Sequence, residues 1–337
     1  MTNKITLSTI ARDLGVSTAT VSLALRDSPL VADITREKIK EAAAAAGYIY
    51  NRRAASLRTS RSGIVGLLVP DVMNPFFAEI LHGIEAELGL DRQTFLLCNH
   101  RDSIETQKHF VETLLQFGAD GVIMSPAIGT SPEDIAAMEA YGLPVVMIAR
   151  WVQGAKVPVY RGDDKKGTYM VTNHLIEQGH NKIAFIGGKR ETSTGADRLA
   201  GYLAALEKAG IEPIEELQMG SERTRKSGYD SVREMFGKNK QAATAIVCFN
   251  DVIAIGVING LNSLGIIPGK DIAVTGYDDI AEAEITSPTL TSVWNGQQEA
   301  GRRAARSIMQ IIKGDPDIED NKLIEPKLRI RESSITS

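Results

Sequence analysis

The stretch ITLSTIARDLGVSTATVSLAL, Ile5 to Leu25, reads as two short helices joined by a tight turn. Leu7, Ile10, Ala11 and Leu14 fall at helical spacing and give the first helix one apolar face. Gly15 follows, a residue that tolerates the positive φ at which helices stop. Val16 plugs the turn, and Ser17 is placed to cap a second helix by accepting from the free N–H groups of its first turn. Val21, Ala24 and Leu25 form that helix's inner face, with the small Ala11 where the two helices cross. Thr18, Ala19, Ser22 and Leu23 are then expected to point outward. This is the spacing of a helix-turn-helix, whose second helix enters the major groove of DNA. Two helices joined by glycine also occur in ordinary helical domains, but the basic flanks favour the DNA-reading form.

Outward from this stretch, a third helix is expected from Asp33 to about Ala46, ending at Gly47, with Tyr48 and Ile49 folded back onto a three-helix core. Next comes NRRAASLRTSRS, Asn51 to Ser62, basic and poor in bulky apolar residues. Arg52 to Arg58 is too short for a stable helix alone. It is either a flexible linker or a segment that folds against a partner. Leu57, one large apolar residue among arginines, favours the second reading. The net charge of −4 over 337 residues conceals an asymmetry. Residues 1–62 hold ten basic and five acidic side chains, a surplus of +5, which leaves −9 on the remainder. A basic end on an acidic body suits a head that binds a polyanion and a body that avoids it.

From Gly63 the pattern alternates strands with helices, and it does so twice. Apolar runs at Ile64–Pro70, Phe95–Cys98, Gly121–Ser125 and Val145–Ala149 make a first set; Lys182–Gly188, Thr244–Phe249 and Ile272–Tyr277 make a second. Helices are expected between them, one of them over Asp197–Ala209. The expected fold class is therefore α/β, two doubly wound parallel-sheet lobes, behind an all-α head. The C-terminal stretch, with strand-like TSVW at Thr291–Trp294, a helix to Lys313 and short strands near Leu323 and Leu328, can cross back to complete both lobes.

Such sheets bind ligands beyond their strand C-termini. The residues there include Asp71 to Phe77, Asn99-His100, Ser125, Arg150-Trp151, Asp163-Asp164, Asn250-Asp251 and Tyr277-Asp278-Asp279. Carboxylates, amides, guanidinium groups and rings together suit a polyhydroxylated ligand, although Asn and Asp at strand ends also serve as caps and turn formers. Arg198, read as lying near a helix start, meets a dipole that disfavours a cation by about 0.3–1 kcal/mol. It therefore asks for an acceptor.

Other function classes fit less well. No GxGxxG or Walker loop follows a first strand, and His82, His100, His109, His174 and His180 make no metal-ligand spacing, so neither an enzyme nor a cofactor or metal site is expected. Cys98 and Cys248 each sit inside an apolar run and read as buried free thiols, suited to a reducing cytosol. The sequence shows neither a secretory signal nor a membrane-length apolar run, so a cytoplasmic location is expected. A solute-binding protein is the alternative reading of the two-lobed body, and the basic N-terminal module argues against it.

Taken together, these stretches resemble the LacI/GalR family of bacterial transcription repressors. TLSTIARDLGVSTATVSLAL resembles the family's DNA-reading head, and TREKIKEAAAAAGYIYNRRAASLRTSRSGIVGLLVPD its third helix, hinge helix and first core strand. EQGHNKIAFIGG, DRLAGYLAAL, NDVIAIG and VTGYDD resemble its core landmarks. The resemblance implies a cytoplasmic homodimer, in some members a tetramer, on an approximately palindromic duplex operator. It also implies a core like periplasmic sugar-binding proteins, with a sugar-like effector between the lobes. The implied domains are a head over 1–50, a hinge over 51–62 and a core over 63–337. The N-lobe would span about 63–160 plus 293–318, and the C-lobe about 161–290 plus 320–335. Expected DNA contacts are Thr6, Ser17, Thr18, Ala19, Thr20, Ser22, Leu23 and Arg26 in the head and Asn51, Arg52, Arg53 and Leu57 in the hinge, where Leu57 matches a leucine that wedges into the minor groove. Leu23 stands where many members carry arginine. Phe76, Arg198, Asn250 and Asp278 match effector-contacting positions, and Ser125, Arg150 and Asp163 join them from the strand ends.

Overall fold

A computed structural model describes residues 5–49, 61–91, 93–188, 190–238, 242–318 and 322–335. The chain divides into two compact units, Met1–Ser62 and Gly63–Ser337, each described by itself.

In the first unit, helices α1 (Leu7–Leu14), α2 (Thr18–Ala24) and α3 (Asp33–Ala45) enclose Ile10, Ala11, Val21, Ala24, Val31, Ile39 and Ala43. Thr6 caps α1 by accepting from the Thr9 amide at 3.3 Å, and Ser17 caps α2 by accepting from the Thr20 amide at 3.0 Å. Gly15 closes α1 at φ 65°, which lets the Val16 N–H return to the Ala11 carbonyl at 3.0 Å. Two expectations change. Ser22 is buried rather than outward, and Leu23 is half-buried against the core. The reason is that α2 packs against α1 on one side and α3 on the other, so burial spreads around its second turn and only the first turn stays outside. Tyr48 folds back as expected, but Ile49 is 88% exposed.

The second unit contains two parallel sheets. The first has the order β2-β1-β3-β4-β5, from β1 (Ile64–Val69), β2 (Thr94–Asn99), β3 (Gly121–Met124), β4 (Val145–Ile148) and β5 (Val159–Tyr160). The second has the order β7-β6-β8-β9, from β6 (Ile183–Ile186), β7 (Gln218–Met219), β8 (Ala245–Cys248) and β9 (Ala273–Thr275). Every residue of β3, β4, β6 and β8 is buried, which requires cover on both faces of each sheet. In the first lobe, Leu67 faces a cluster with Ile80, Ile84 and Ile308, while Leu68 faces Leu114, Val122 and Met124 on the other side. Side chains of this size contribute about 1.5–3 kcal/mol each when fully buried.

The covering helices are α4 (Pro75–Leu90), α5 (Ile104–Gln116), α6 (Pro132–Ala140) and α11 (Gln297–Lys313) in the first lobe. In the second they are α7 (Asp164–Glu177), α8 (Ser193–Lys208), α9 (Arg225–Lys238) and α10 (Asp251–Ser263). α4 and α11 lie backbone to backbone: a Cβ on Gly83 would meet the Gln298 carbonyl oxygen at 2.2 Å, and one on Gly301 the Ile80 carbonyl oxygen at 2.3 Å. The C-terminal chain serves both lobes. α11 packs on α4 in the first, and Ser333 Oγ donates to the Val274 carbonyl in the second at 2.6 Å. β10 (Ser292–Trp294) and β11 (Lys327–Arg329) pair antiparallel between these contacts.

The strand expected near Leu323 is only a single bridge between Gly162 and Ile324. α8 begins four residues earlier than the sequence reading, so Arg198 lies in its second turn rather than at its start. Among the described residues no helix is long and apolar enough to cross a membrane.

Candidate functional site

Arg198 is 3% exposed and held on every side. Its Nε donates to Asp164 Oδ1 at 2.8 Å, Nη1 to the Phe249 carbonyl at 2.6 Å and Nη2 to Asp278 Oδ1 at 3.0 Å. Its guanidinium carbon lies 4.5 Å from the Phe249 ring centroid and 3.8 Å from that of Tyr277. Burial works against its charge, yet the carboxylates of Asp278 and Asp164 more than offset that, and its pKa is raised. Burial pushes the Asp278 carboxyl up to about 7 against the pull of Arg198. Asp278 also sits at φ 99°, a strained conformation for a side-chain-bearing residue. Gln297 holds it there by donating to its carbonyl, and its own amide donates to the Val293 carbonyl at 2.9 Å.

A second cluster joins the lobes. Arg150, 5% exposed, follows β4 and donates to both carboxylate oxygens of Asp102 and, at 3.0 Å, to the Pro126 carbonyl. Arg223, between β7 and α9 of the other lobe, donates from Nη2 to Asp102 Oδ2 at 2.5 Å. Burial alone would raise the Asp102 pKa, but the two guanidinium groups hold it well below the ordinary carboxylate range. His100 beside it is neutral: burial pulls its pKa down, Nδ1 accepts from the Asp102 amide at 3.1 Å and Nε2 donates to the Ser125 carbonyl at 2.9 Å.

Both clusters face one cavity of about 40 Å³, where the C-terminal ends of the two sheets' strands meet. Asn74, Phe76, Asp164, Arg198, Asn250 and Asp278 are part of its wall. Among the described residues, four buried polar atoms around it have no protein partner: Arg223 Nη1, Asn250 Nδ2, Asn295 Oδ1 and Gln297 Oε1. Buried polar groups are otherwise almost always hydrogen-bonded, so such a set points to a ligand. An outer compartment of about 300 Å³ adjoins, sharing Arg150 and lined also by Trp151, Glu191 and Ser193.

Of the residues singled out from sequence, Phe76, Arg150, Arg198, Asn250 and Asp278 line the cavity. Two lie off it. Asp163 is spent as the cap of α7, accepting from the Lys166 amide at 3.0 Å, and its neighbour Asp164 faces inward instead. Ser125 is fully buried beneath the wall, in the strand-end layer with His100. Sequence reasoning missed Arg161, Arg223, Asn295 and Gln297. The strand-end rule reaches Asn295 and Gln297 once β10 is counted; Arg223, in a loop after a two-residue strand, carries no periodic signal. In the head, Thr6, Ser17, Thr18, Ala19 and Arg26 are exposed and Thr20 is half-buried. Asn51, Arg52, Arg53 and Leu57 lie outside the described residues.

Comparison with known proteins bears on both units. Residues 6–51 match the family model of bacterial regulatory proteins of the lacI family, and residues 62–332 that of periplasmic binding proteins and the sugar-binding domain of the LacI family. The HTH-type transcriptional regulator RegA of Clostridium saccharobutylicum is 34% identical over 97% of this chain and 98% of its own. The lac repressor dimer bound to operator and the anti-inducer ONPF is 25% identical, with a TM-score of 0.85 over 99% of this chain and 100% of that one. The transcriptional regulator CelR in complex with cellobiose is 30% identical, with a TM-score of 0.73 over 98% and 99%.

Proposed function

We propose, for a chain that belongs to the LacI family of bacterial regulatory proteins, a cytoplasmic transcription repressor whose hold on DNA is set by a sugar or sugar derivative bound in the cleft. One observation carries the cleft reading. Two buried donors, Arg223 Nη1 and Asn250 Nδ2, and two buried acceptors, Asn295 Oδ1 and Gln297 Oε1, surround one cavity. A polyol satisfies both kinds at once, because each hydroxyl donates and accepts. Phe76 can cover the ligand's C–H face, as an aromatic ring does for a sugar. The cavity of about 40 Å³ is tight for a sugar ring, so in this reading the lobes part to admit the effector. The effector then shifts the balance of open and closed forms by its differential affinity for them.

On the DNA side, the exposed first turn of α2 offers Thr18 and Ala19, a hydroxyl and methyl contacts for base edges. One head presents too few such groups for strong specificity, so the reading includes a homodimer on an approximate inverted repeat.

The test selects duplexes from a random pool with the full chain, then titrates neutral and acidic monosaccharides against the selected duplex. The expected result is an enriched inverted repeat, and a sugar that changes its retention about tenfold less potently in Asn250→Ser. Serine keeps the α10 cap while removing the amide donor. A pool without an enriched sequence would remove the repressor reading; an unchanged sugar response in Asn250→Ser would remove the cleft.

A further inference from the structure

The charges around the cavity do not balance evenly. Arg198 is matched by two carboxylates, at 2.8 and 3.0 Å, and Arg161 by Asp197 at 2.8 Å. Arg150 and Arg223 share one carboxylate, Asp102, and the charged groups that act on Arg150 are Asp102 and Arg223. Asp102 is fully committed: Oδ1 accepts from Arg150, and Oδ2 from Arg150 at 3.3 Å and Arg223 at 2.5 Å. Among the described residues, one positive charge is therefore left over at this corner. The same guanidinium supplies the buried donor without a partner, Arg223 Nη1, on the cavity wall. The remaining unpaired groups, Asn250, Asn295 and Gln297, are neutral amides.

We propose that the effector carries one oxyanion, a carboxylate or a phosphate ester, on a hydroxylated carbon skeleton, and that Arg223 receives that oxyanion while the amides take the hydroxyls. The proposal rests on the cleft being the effector site. A guanidinium offers two parallel N–H edges; with one edge on Asp102, the other suits a second planar or tetrahedral oxyanion.

The experiment measures calorimetric affinity and thermal shift of the full chain with matched probes. These are neutral hexoses, the corresponding hexuronates and hexonates, and the corresponding hexose 6-phosphates, with sodium sulfate at equal ionic strength as control. At least one acid or phosphate ester should bind about ten- to a hundredfold more tightly than its neutral parent. That advantage should vanish in Arg223→Gln and be partly kept in Arg223→Lys. Preference for uronates or hexonates identifies a carboxylate, and preference for the esters identifies a phosphate. A neutral hexose that binds as tightly as its anions, with affinity lost in Asn250→Ser, would overturn the proposal and leave the cleft reading standing. An anion advantage that survives in Arg223→Gln also overturns it. Silence of all three series would overturn both.

Discussion

Asp278 shows how a single side chain can be costly to the fold and still belong to the site. It is fully buried, strained at φ 99° and faces Asp164 and Asp251 as well as Arg198. Its folded pKa, about 7, lies above the ordinary 3.8, so the folded state holds a proton that the unfolded chain has lost between those values. The stability it contributes is therefore complete below about pH 4 and is lost as pH rises through 7. Asp278→Asn keeps an acceptor for Arg198 and removes the titration. The melting temperature of wild type relative to this variant should fall by several degrees between pH 5 and 8, and a flat difference curve would contradict the burial argument. Arg198→Ala is expected to be far worse than Asp278→Asn. It strands Asp164 and Asp278 in the interior, where breaking a buried pair costs about 3–5 kcal/mol. Soluble yield and denaturant midpoint measure that loss. Arg198 was legible in the sequence for a different reason from the one that holds. The helix-start argument fails because Ser193-Thr194-Gly195-Ala196 adds a turn without an apolar period, and the acceptors come from α7 and from beyond β8 and β9.

Elements were readable where burial is two-sided. β1, β3, β4, β6 and β8 are unbroken apolar runs, and their ends moved by at most two residues between sequence and structure. β7 has two residues and no such run, and the expected strand at Leu323 reduces to one bridge, because pairing partners far along the chain decide both. The same limit hid Arg223, which has meaning only through Asp102 in the other lobe. Helix packing gives a sharper expectation. In Gly301→Ala the new Cβ would lie 2.3 Å from the Ile80 carbonyl oxygen, so α11 must shift off α4 at a cost of about 1–3 kcal/mol. Gly89→Ala, on α4 where a Cβ meets nothing within 4 Å, should instead stabilise by about 0.5–1 kcal/mol. Urea unfolding of the two variants side by side should give midpoints displaced in opposite directions.

At the scale of the molecule, the division of charge matters more than the total. The +5 carried by residues 1–62 sits apart in sequence from the −9 of the remainder. Duplex binding should therefore depend on residues 1–62 and weaken steeply with salt, about a thousandfold or more between 50 and 200 mM if six or more phosphates are neutralised. A chain starting at Gly63 that retained full duplex affinity, or a salt slope near zero, would refute this.

The crossing of the C-terminal chain between lobes also sets an order of events during synthesis. The head is closed by contacts within its own three helices, so it can fold as soon as it has emerged. Neither lobe can finish so early: the first lacks the α11 cover of its sheet until residue 313 has been made, and the second lacks the Ser333 contact to β9 until residue 333 has. At roughly 5–20 residues per second, the head would precede its controlling core by some tens of seconds. A chain cut before α11 would therefore carry a closed nucleic-acid-binding module beside a core that has neither lobe finished.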